Sequence, residues 1–205
     1  MITIHNFPRG VRGLRVAWQC EEMGLSYRLE SVSFPPSDEY RALHPLANVP
    51  FLQDDGGIAI HESVAIMLYL AHRYGPTPLL PHDGDLRVAR VLELTVFGEA
   101  TLGAGINTLL AAHFAAPEAD KRNWSVRGTH ARLEQAISHT ADMLGKYPYL
   151  AGSELSLADI SVSCALGMWQ GALGLALPDK LIAWRKRLGA RPAYERALAR
   201  TQSPR

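Results

Sequence analysis

Two short stretches carry residues whose types and spacing could hold a ligand. One is Asn48-Val49-Pro50-Phe51-Leu52, and the other is Ile58-Ala59-Ile60-His61-Glu62-Ser63, which runs into a helical pattern reaching Tyr74. An extended segment beside a proline offers backbone N–H and C=O groups to a second peptide strand. A helix beginning at Glu62-Ser63 offers its first N–H groups and a hydroxyl to a carboxylate. Together they can hold an extended peptide at two places. Each also has a purely structural reading: Pro50 can open a strand, Ser63 can cap a helix, and Glu62 can serve as a favourable first-turn acid.

Asp54-Asp55-Gly56-Gly57 reads as the tight hairpin that joins the two stretches. Upstream, Ile2 and Ile4 alternate with Thr3 and His5 as a first strand, and Phe7-Pro8-Arg9-Gly10 breaks the pattern. A helix follows from about Gly13 to Met23, carrying Leu14, Val16, Ala17, Trp18 and Cys20 before stopping at Gly24. Tyr27 to Val32 alternates as a second strand, and residues 37–44 form a short helix ahead of Pro45. The order is β-α-β, α, β-β-α.

Gly75-Pro76-Thr77-Pro78-Leu79-Leu80-Pro81 is too rich in proline for either periodic structure. Beyond it, Leu86–His113, Val126–Leu144, Leu157–Trp169, Asp179–Leu188 and Pro192–Leu198 show aliphatics at helical spacing. The expected class is α/β plus all-α: a domain over 1–75, a linker over 76–81 and a helical domain over 82–205. Glycines and alanines between Gly98 and Ala112 should let helices approach closely. Ser156-Leu157-Ala158-Asp159 reads as a capping box rather than a catalytic pair.

The bulk composition narrows the function classes. The 205 residues are 47% hydrophobic and 20% charged, as in a folded globular chain, and 21 basic against 20 acidic residues leave a net charge of +1. No excess charge is available to neutralise a phosphate backbone, which argues against nucleic-acid binding. The two cysteines, Cys20 and Cys164, lie far apart in apolar helical patterns without metal spacing, which suits a reduced cytoplasmic protein with core cysteines and no metal. No apolar run is expected to reach membrane-spanning length, and the N-terminus does not read as a signal peptide. Trp124 and Trp184 are expected to be packing residues.

In this order and spacing, several short motifs resemble the cytosolic glutathione S-transferase family over nearly the whole chain. They are Arg15-Val16 with Glu21-Glu22-Met23-Gly24-Leu25, His44-Pro45, Val49-Pro50, Glu62-Ser63, Tyr149-Leu150-Ala151-Gly152, Ser156 to Ile160, and Arg191-Pro192-Ala193-Tyr194. The resemblance implies a thioredoxin-like domain followed by a helical bundle, a homodimer, and glutathione as substrate or cosubstrate. It further implies that Pro50 is a cis-proline and that Val49 pairs with the cysteinyl backbone of glutathione. Glu62 would face the γ-glutamyl ammonium, Ser63 would take the adjoining carboxylate, and Asn48 stands where a longer residue often touches the glycyl end.

The chain departs from that pattern in the loop after the first strand. Related enzymes place a tyrosine, serine or cysteine there to favour the thiolate, yet no residue from Asn6 to Gly13 is Ser, Thr, Tyr or Cys. The candidate substitutes are Asn6 as a side-chain donor, Arg9 or Arg12 as a positive neighbour, and the amides around Gly10. Arg9 and Arg12 have an alternative reading as surface or bridging residues. A small hydrophobic electrophile would meet Phe7, Pro8, Leu102, Ile106, Asn107, Leu109, Leu110 and Trp169 in an interdomain cleft. The leading expectation is glutathione transfer to that electrophile. The alternatives are a glutathione-dependent isomerase or reductase, and a non-catalytic glutathione-binding or interaction protein.

Overall fold

The computed structural model describes residues 1–82, 84–145 and 147–202. It divides into two compact units, one formed by Met1–Thr77 with the segment from Gly189 onward, the other by Pro78–Leu188. Each unit is built on its own logic.

The first unit holds β1 (Ile2–Asn6), α1 (Val11–Glu22), β2 (Tyr27–Ser31), α2 (Asp38–Leu43), β3 (Phe51–Asp54), β4 (Ile58–His61) and α3 (Ser63–Arg73). The four strands form one mixed sheet in the order β2-β1-β3-β4. Strand β1 runs parallel to β2 and antiparallel to β3, with His5 opposite Phe51 and Phe51 opposite His61 on β4. Ile2, Thr3 and Ile4 are all buried, as a central strand covered on both faces requires. This register fixes the site: the end of β1, the start of β3 and the end of β4 meet at one end of the sheet.

The sequence reading assigns the last helix to the helical segment, whereas the contacts of its residues join it to the first unit. That helix, Pro192–Gln202, packs on α1. Arg191 makes a two-pronged ion pair with Glu22 (2.6 and 2.9 Å), and Trp18 meets Tyr194 edge-on at 4.9 Å. Arg196 and Arg200 reach Glu21, and the Arg200 guanidinium lies 3.9 Å over the Tyr27 ring. Two motifs at opposite ends of the chain are thus one interaction.

The second unit contains α4 (Arg87–Phe97), a π-helical stretch (Gly98–Gly103), α5 (Ala104–Ala115), α6 (Trp124–Met143), α7 (Leu157–Gly171) and α8 (Asp179–Gly189); the helix described above is α9. The close approach expected of the small residues is present. A Cβ on Gly98 would meet Ser161 Oγ at 2.4 Å, and one on Gly105 would meet Leu133 at 2.9 Å. Ser161 Oγ donates to the Thr95 carbonyl at 2.7 Å, an intrusion into the backbone ladder beside the π-helical stretch. Asp159 is fully buried and receives the Ser156 N–H, the Ser156 hydroxyl, the Leu150 N–H and the Trp184 indole N–H.

Two expectations change here. The continuous helix Arg87–Ala115 spans 29 residues with mean hydropathy 1.2 in its most apolar window, which is long and apolar enough, by length and composition, to cross a membrane. Its Val91, Leu94, Leu102, Ile106 and Leu109 are buried within the helical unit. Trp124, expected to pack, opens α6 at 80% exposure. Cys20 and Cys164 are buried free thiols, and burial pushes Cys20 up to about 12.

Candidate functional site at one end of the sheet

Three segments converge where β1 ends, β3 begins and β4 ends: residues 6–10, 47–50 and 61–63. Each contains a non-glycine residue in the left-handed region, namely Arg9 (φ 62°), Ala47 (φ 51°) and Glu62 (φ 71°). Such residues carry a conformational cost that the surrounding structure must offset, and they concentrate at functional sites. Phe7 and Val49, half-buried, pack on the same cluster of Val32, Tyr40, Ala47 and Phe51. The first two segments therefore share one apolar base.

In the first segment, Asn6 is 2% exposed and its Nδ2 donates to the Gly10 carbonyl at 3.0 Å. A Cβ on Gly13 would fall 2.0 Å from Asn6 Cγ, and one on Gly10 would fall 2.6 Å from Asn6 Oδ1. The two glycines exist to admit this amide. Asn6, expected as a donor to sulfur, is buried and occupied in shaping the turn, which corrects that role from contact to positioning. Arg9 is exposed, and its N–H donates to the Thr201 carbonyl of α9 at 3.0 Å. Gly10 is the N-cap of α1; no side chain caps that helix start, and its first turn holds Arg12 but no acid. An N-terminus of this kind favours an anion.

In the second segment, the Val49–Pro50 peptide is cis, as the resemblance implies. Asn48 is exposed, Val49 half-buried and Pro50 buried. Tyr40 on α2 donates its hydroxyl to the Asn48 carbonyl at 2.7 Å, and burial pushes that phenol up to about 12, so it remains a donor. His44 Nε2 lies 2.6 Å from Asn48 Oδ1, with its ring stacked on Phe51 at 4.8 Å and 3°.

The third segment turns sharply at Glu62 and enters α3 at Ser63. Glu62 keeps an exposed carboxylate, while Ser63 is 2% exposed. Arg15, fully buried in the middle of α1, donates from Nη1 to Ser63 Oγ at 2.9 Å. Sequence reasoning counted Arg15 as a family motif but missed it as a site residue. The available signal was a cation inside the apolar run Leu14 to Trp18, since a buried charge must have a partner. Gln19, one turn on, follows the same rule and donates to the Met67 carbonyl at 2.8 Å.

The residues expected to meet a second substrate do not behave alike. Leu102 and Ile106 are fully buried in the helical unit, and Trp169 is 2% exposed with its indole N–H on the Ala176 carbonyl. These three fill the core, which corrects their assignment to a pocket wall. Leu109 is also buried, Leu110 is half-buried and Asn107 is exposed. In the first unit Pro8 is exposed, and Phe7 meets Phe34 edge-on at 5.6 Å. The helical unit has an open cavity of about 370 Å³ elsewhere, lined by Ala100, Ala104, Gly105 and Thr108 with Thr129 and Arg132.

Known proteins resemble this chain over most of its length. Residues 12–73 match the glutathione S-transferase N-terminal domain, and residues 104–192 match the glutathione S-transferase C-terminal domain. Glutathione S-transferase 4 of Zea mays is 30% identical over 184 residues, covering 84% of this chain and 81% of that protein. A Drosophila melanogaster relative named "Probable maleylacetoacetate isomerase 2" is 34% identical over 156 residues, 71% of this chain and 63% of that protein. The crystal structure of a theta class glutathione S-transferase from Xanthomonas axonopodis pv. citri with glutathione bound superposes with a TM-score of 0.80. Its identity is 26%, over 98% of this chain and 99% of that one.

Proposed function

Because this chain belongs to the glutathione S-transferase family, we propose that it binds glutathione at the sheet end described above and activates its thiol toward an apolar electrophile. The observation that carries this reading is the buried Ser63 at the start of α3, with the Arg15 guanidinium on its hydroxyl and the Glu62 carboxylate exposed beside it. Donors and one acceptor in that order suit an α-amino acid group. Ser63 and the α3 amides receive a carboxylate, Arg15 adds positive charge behind them, and Glu62 takes an ammonium. Val49 offers its backbone to the middle of an extended peptide, and Asn48 faces the glycyl end.

Glutathione bound there supplies a thiol, which is ordinarily protonated near neutral pH because a free thiol titrates at about 8.5. The chain's contribution to the thiolate is the uncapped start of α1, with Gly10 as N-cap, Arg12 in the first turn and Arg9 exposed beside it. Asn6 acts through the turn it orders. Cytoplasmic detoxification by a homodimer fits the same reading, and Leu92 and Val96 leave apolar surface open on α4.

A second reading is ligand holding without conjugation. The buried Asn6 favours it, since the loop then presents no side-chain hydroxyl or amide to sulfur. Isomerisation is the enzymatic variant, supported by the name of the Drosophila relative. Titrating the thiolate absorbance of glutathione in the presence of the protein separates these. A bound thiol pKa well below the free value, partly restored in Arg12→Ala, supports activation. Saturable binding with an unshifted pKa rejects it and leaves the holding function. Absence of binding overturns the glutathione assignment itself.

A further inference from the structure

The turn from Phe7 to Gly10 is closed from two sides. On one side, the Gly10 N–H donates to the Phe7 carbonyl at 2.9 Å, and Asn6 Nδ2 donates to the Gly10 carbonyl at 3.0 Å. On the other, Arg9 is exposed and takes a left-handed backbone conformation (φ 62°), a cost that burial of its side chain does not offset. Its N–H donates to the Thr201 carbonyl at 3.0 Å. Thr201 is 3% exposed and stands one residue before the end of α9, where a helix leaves its carbonyls without internal donors. A buried acceptor of that kind needs a partner, and the amide of the strained loop residue supplies it.

The helix that offers this carbonyl is itself a fixed reference. Arg191, just before α9, grips Glu22 at the end of α1; Tyr194 meets Trp18 one turn back; and Thr201 reaches the loop ahead of the first turn of α1. The two helices therefore run antiparallel along the length of α1. We infer that the last turn of α9 is a positioning element of the site: the Thr201 carbonyl sets the Arg9 amide, and with it the turn from which Gly10 opens α1 toward the ligand thiol. The inference rests on the glutathione reading above and goes beyond it, because it makes the reactivity of the bound thiol depend on a helix from the other end of the chain. A tether that served stability alone would change the unfolding midpoint and nothing at the sulfur.

The test uses two substitutions at Thr201 in the whole chain. Thr201→Pro loses the last-turn N–H and crowds the Ala197 carbonyl, so the final turn and the Thr201 carbonyl are displaced. Thr201→Val keeps the backbone and the branched shape, and deletes only a hydroxyl that bonds the Ala197 and Leu198 carbonyls of its own helix. Thiolate absorbance of bound glutathione reads the sulfur. Calorimetric titration with S-methylglutathione, which has no ionisable thiol, reads peptide binding alone. In Thr201→Pro most of the thiol pKa lowering of the wild-type protein should be lost. S-methylglutathione should still bind within about twofold of wild type, since the substitution leaves Val49 and Ser63 in place. Thr201→Val, which keeps the carbonyl, should retain the lowering.

A normal thiol shift in Thr201→Pro overturns the positioning role while the glutathione reading stands. So does a parallel loss of S-methylglutathione binding, which would mark general damage to the first unit. An unshifted thiol in the wild-type protein overturns activation and the role of α9 with it. If Thr201→Pro does not fold, amide hydrogen exchange of the wild-type protein decides. Protection of the Arg9 amide that rises when glutathione binds supports the assignment, and protection that glutathione leaves unaltered, or none at all, overturns it.

Discussion

The end of the sheet that gathers residues 6–10, 47–50 and 61–63 and the helical unit are built on opposite terms. At the sheet end, Arg9, Ala47 and Glu62 all take left-handed backbone conformations, and among the described non-glycine residues none of the helical unit does so. Its polar groups are split between holding and displaying: Asn48 is clamped at two oxygens yet exposed, and Glu62 turns sharply yet keeps its carboxylate in solvent. In the helical unit, Asp159 and Ser161 are buried. Asp159 satisfies four donors, and Ser161 bonds across to Thr95. The difference teaches where each unit spends its local exceptions. Strain and exposure sit where groups must be offered to a ligand, while the helical unit resolves its polar atoms internally.

The strongest way to break this contrast is to remove the hub of the helical unit. Asp159→Ala should cost about 3–5 kcal/mol, because it strands buried donors that the carboxylate now satisfies. Urea midpoints measure it, and a loss under 1 kcal/mol would show that the hub is not what holds the unit. Next in size, Gly13→Ala places a methyl group where Asn6 lies and should destabilise by about 1–3 kcal/mol. The same variant should also abolish any shift of the glutathione thiol, since the turn that presents α1 is displaced. Normal stability with a normal thiol shift would mean that Asn6 has room to move.

Arg15→Met sharpens the comparison from the other side. A buried cation replaced by an apolar chain of similar reach leaves folding nearly unchanged, but glutathione affinity should fall by about tenfold. Equal affinity in the variant would make Arg15 a packing residue of α1 and remove it from the ligand site.

The smallest effect is in pH. Glu21 is pushed up by burial but pulled further down by Arg196, Arg200 and Tyr27, so its net position is below the ordinary 4.5. Asp54 is likewise raised by burial and lowered more by Tyr74, the Asp55 amide and Tyr69, to below 3.8. Groups depressed in the folded state stabilise it above their unfolded values, and that contribution is lost as pH falls through the folded ones. Asp159 runs the other way: burial outweighs its four donors and raises it above 3.8, so its contribution is largest in acid and is lost as pH rises through its folded value. Acidification below about pH 4 should therefore loosen the first unit before the second. Amide hydrogen exchange on α1 and α7 reads this directly, and earlier opening of α7 would contradict it.

Much of this was legible beforehand for a physical reason. Helix and strand periods, the prolines near residue 76 and the glycine-marked hairpin are local signals, and they yielded the α/β unit and the helices in order. Gly98 and Gly105 were read as close-packing positions because absence of a side chain has few other uses inside a helix. The roles that went astray were those in which one pattern serves two ends. Leu102, Ile106 and Trp169 lie at spacings that suit a core and a pocket equally, and Trp124 sits at a helix start that packing leaves bare.

The sequence by itself determined the element order, the absent hydroxyl in the 6–13 loop and the presence of Val49-Pro50 and Glu62-Ser63. These follow from residue type and short spacing, which a linear chain states outright. Only the tertiary structure decided that Arg15 reaches Ser63, that Glu22 is paired with Arg191, and that the His44 ring meets the Asn48 side chain. Each depends on which side chains face one another once helices pack and strands register. The Glu22–Arg191 pair joins residues far apart in the chain, so no local rule could contain it; His44 and Asn48 are neighbours in sequence, but their side chains meet where the His44 ring is stacked on Phe51.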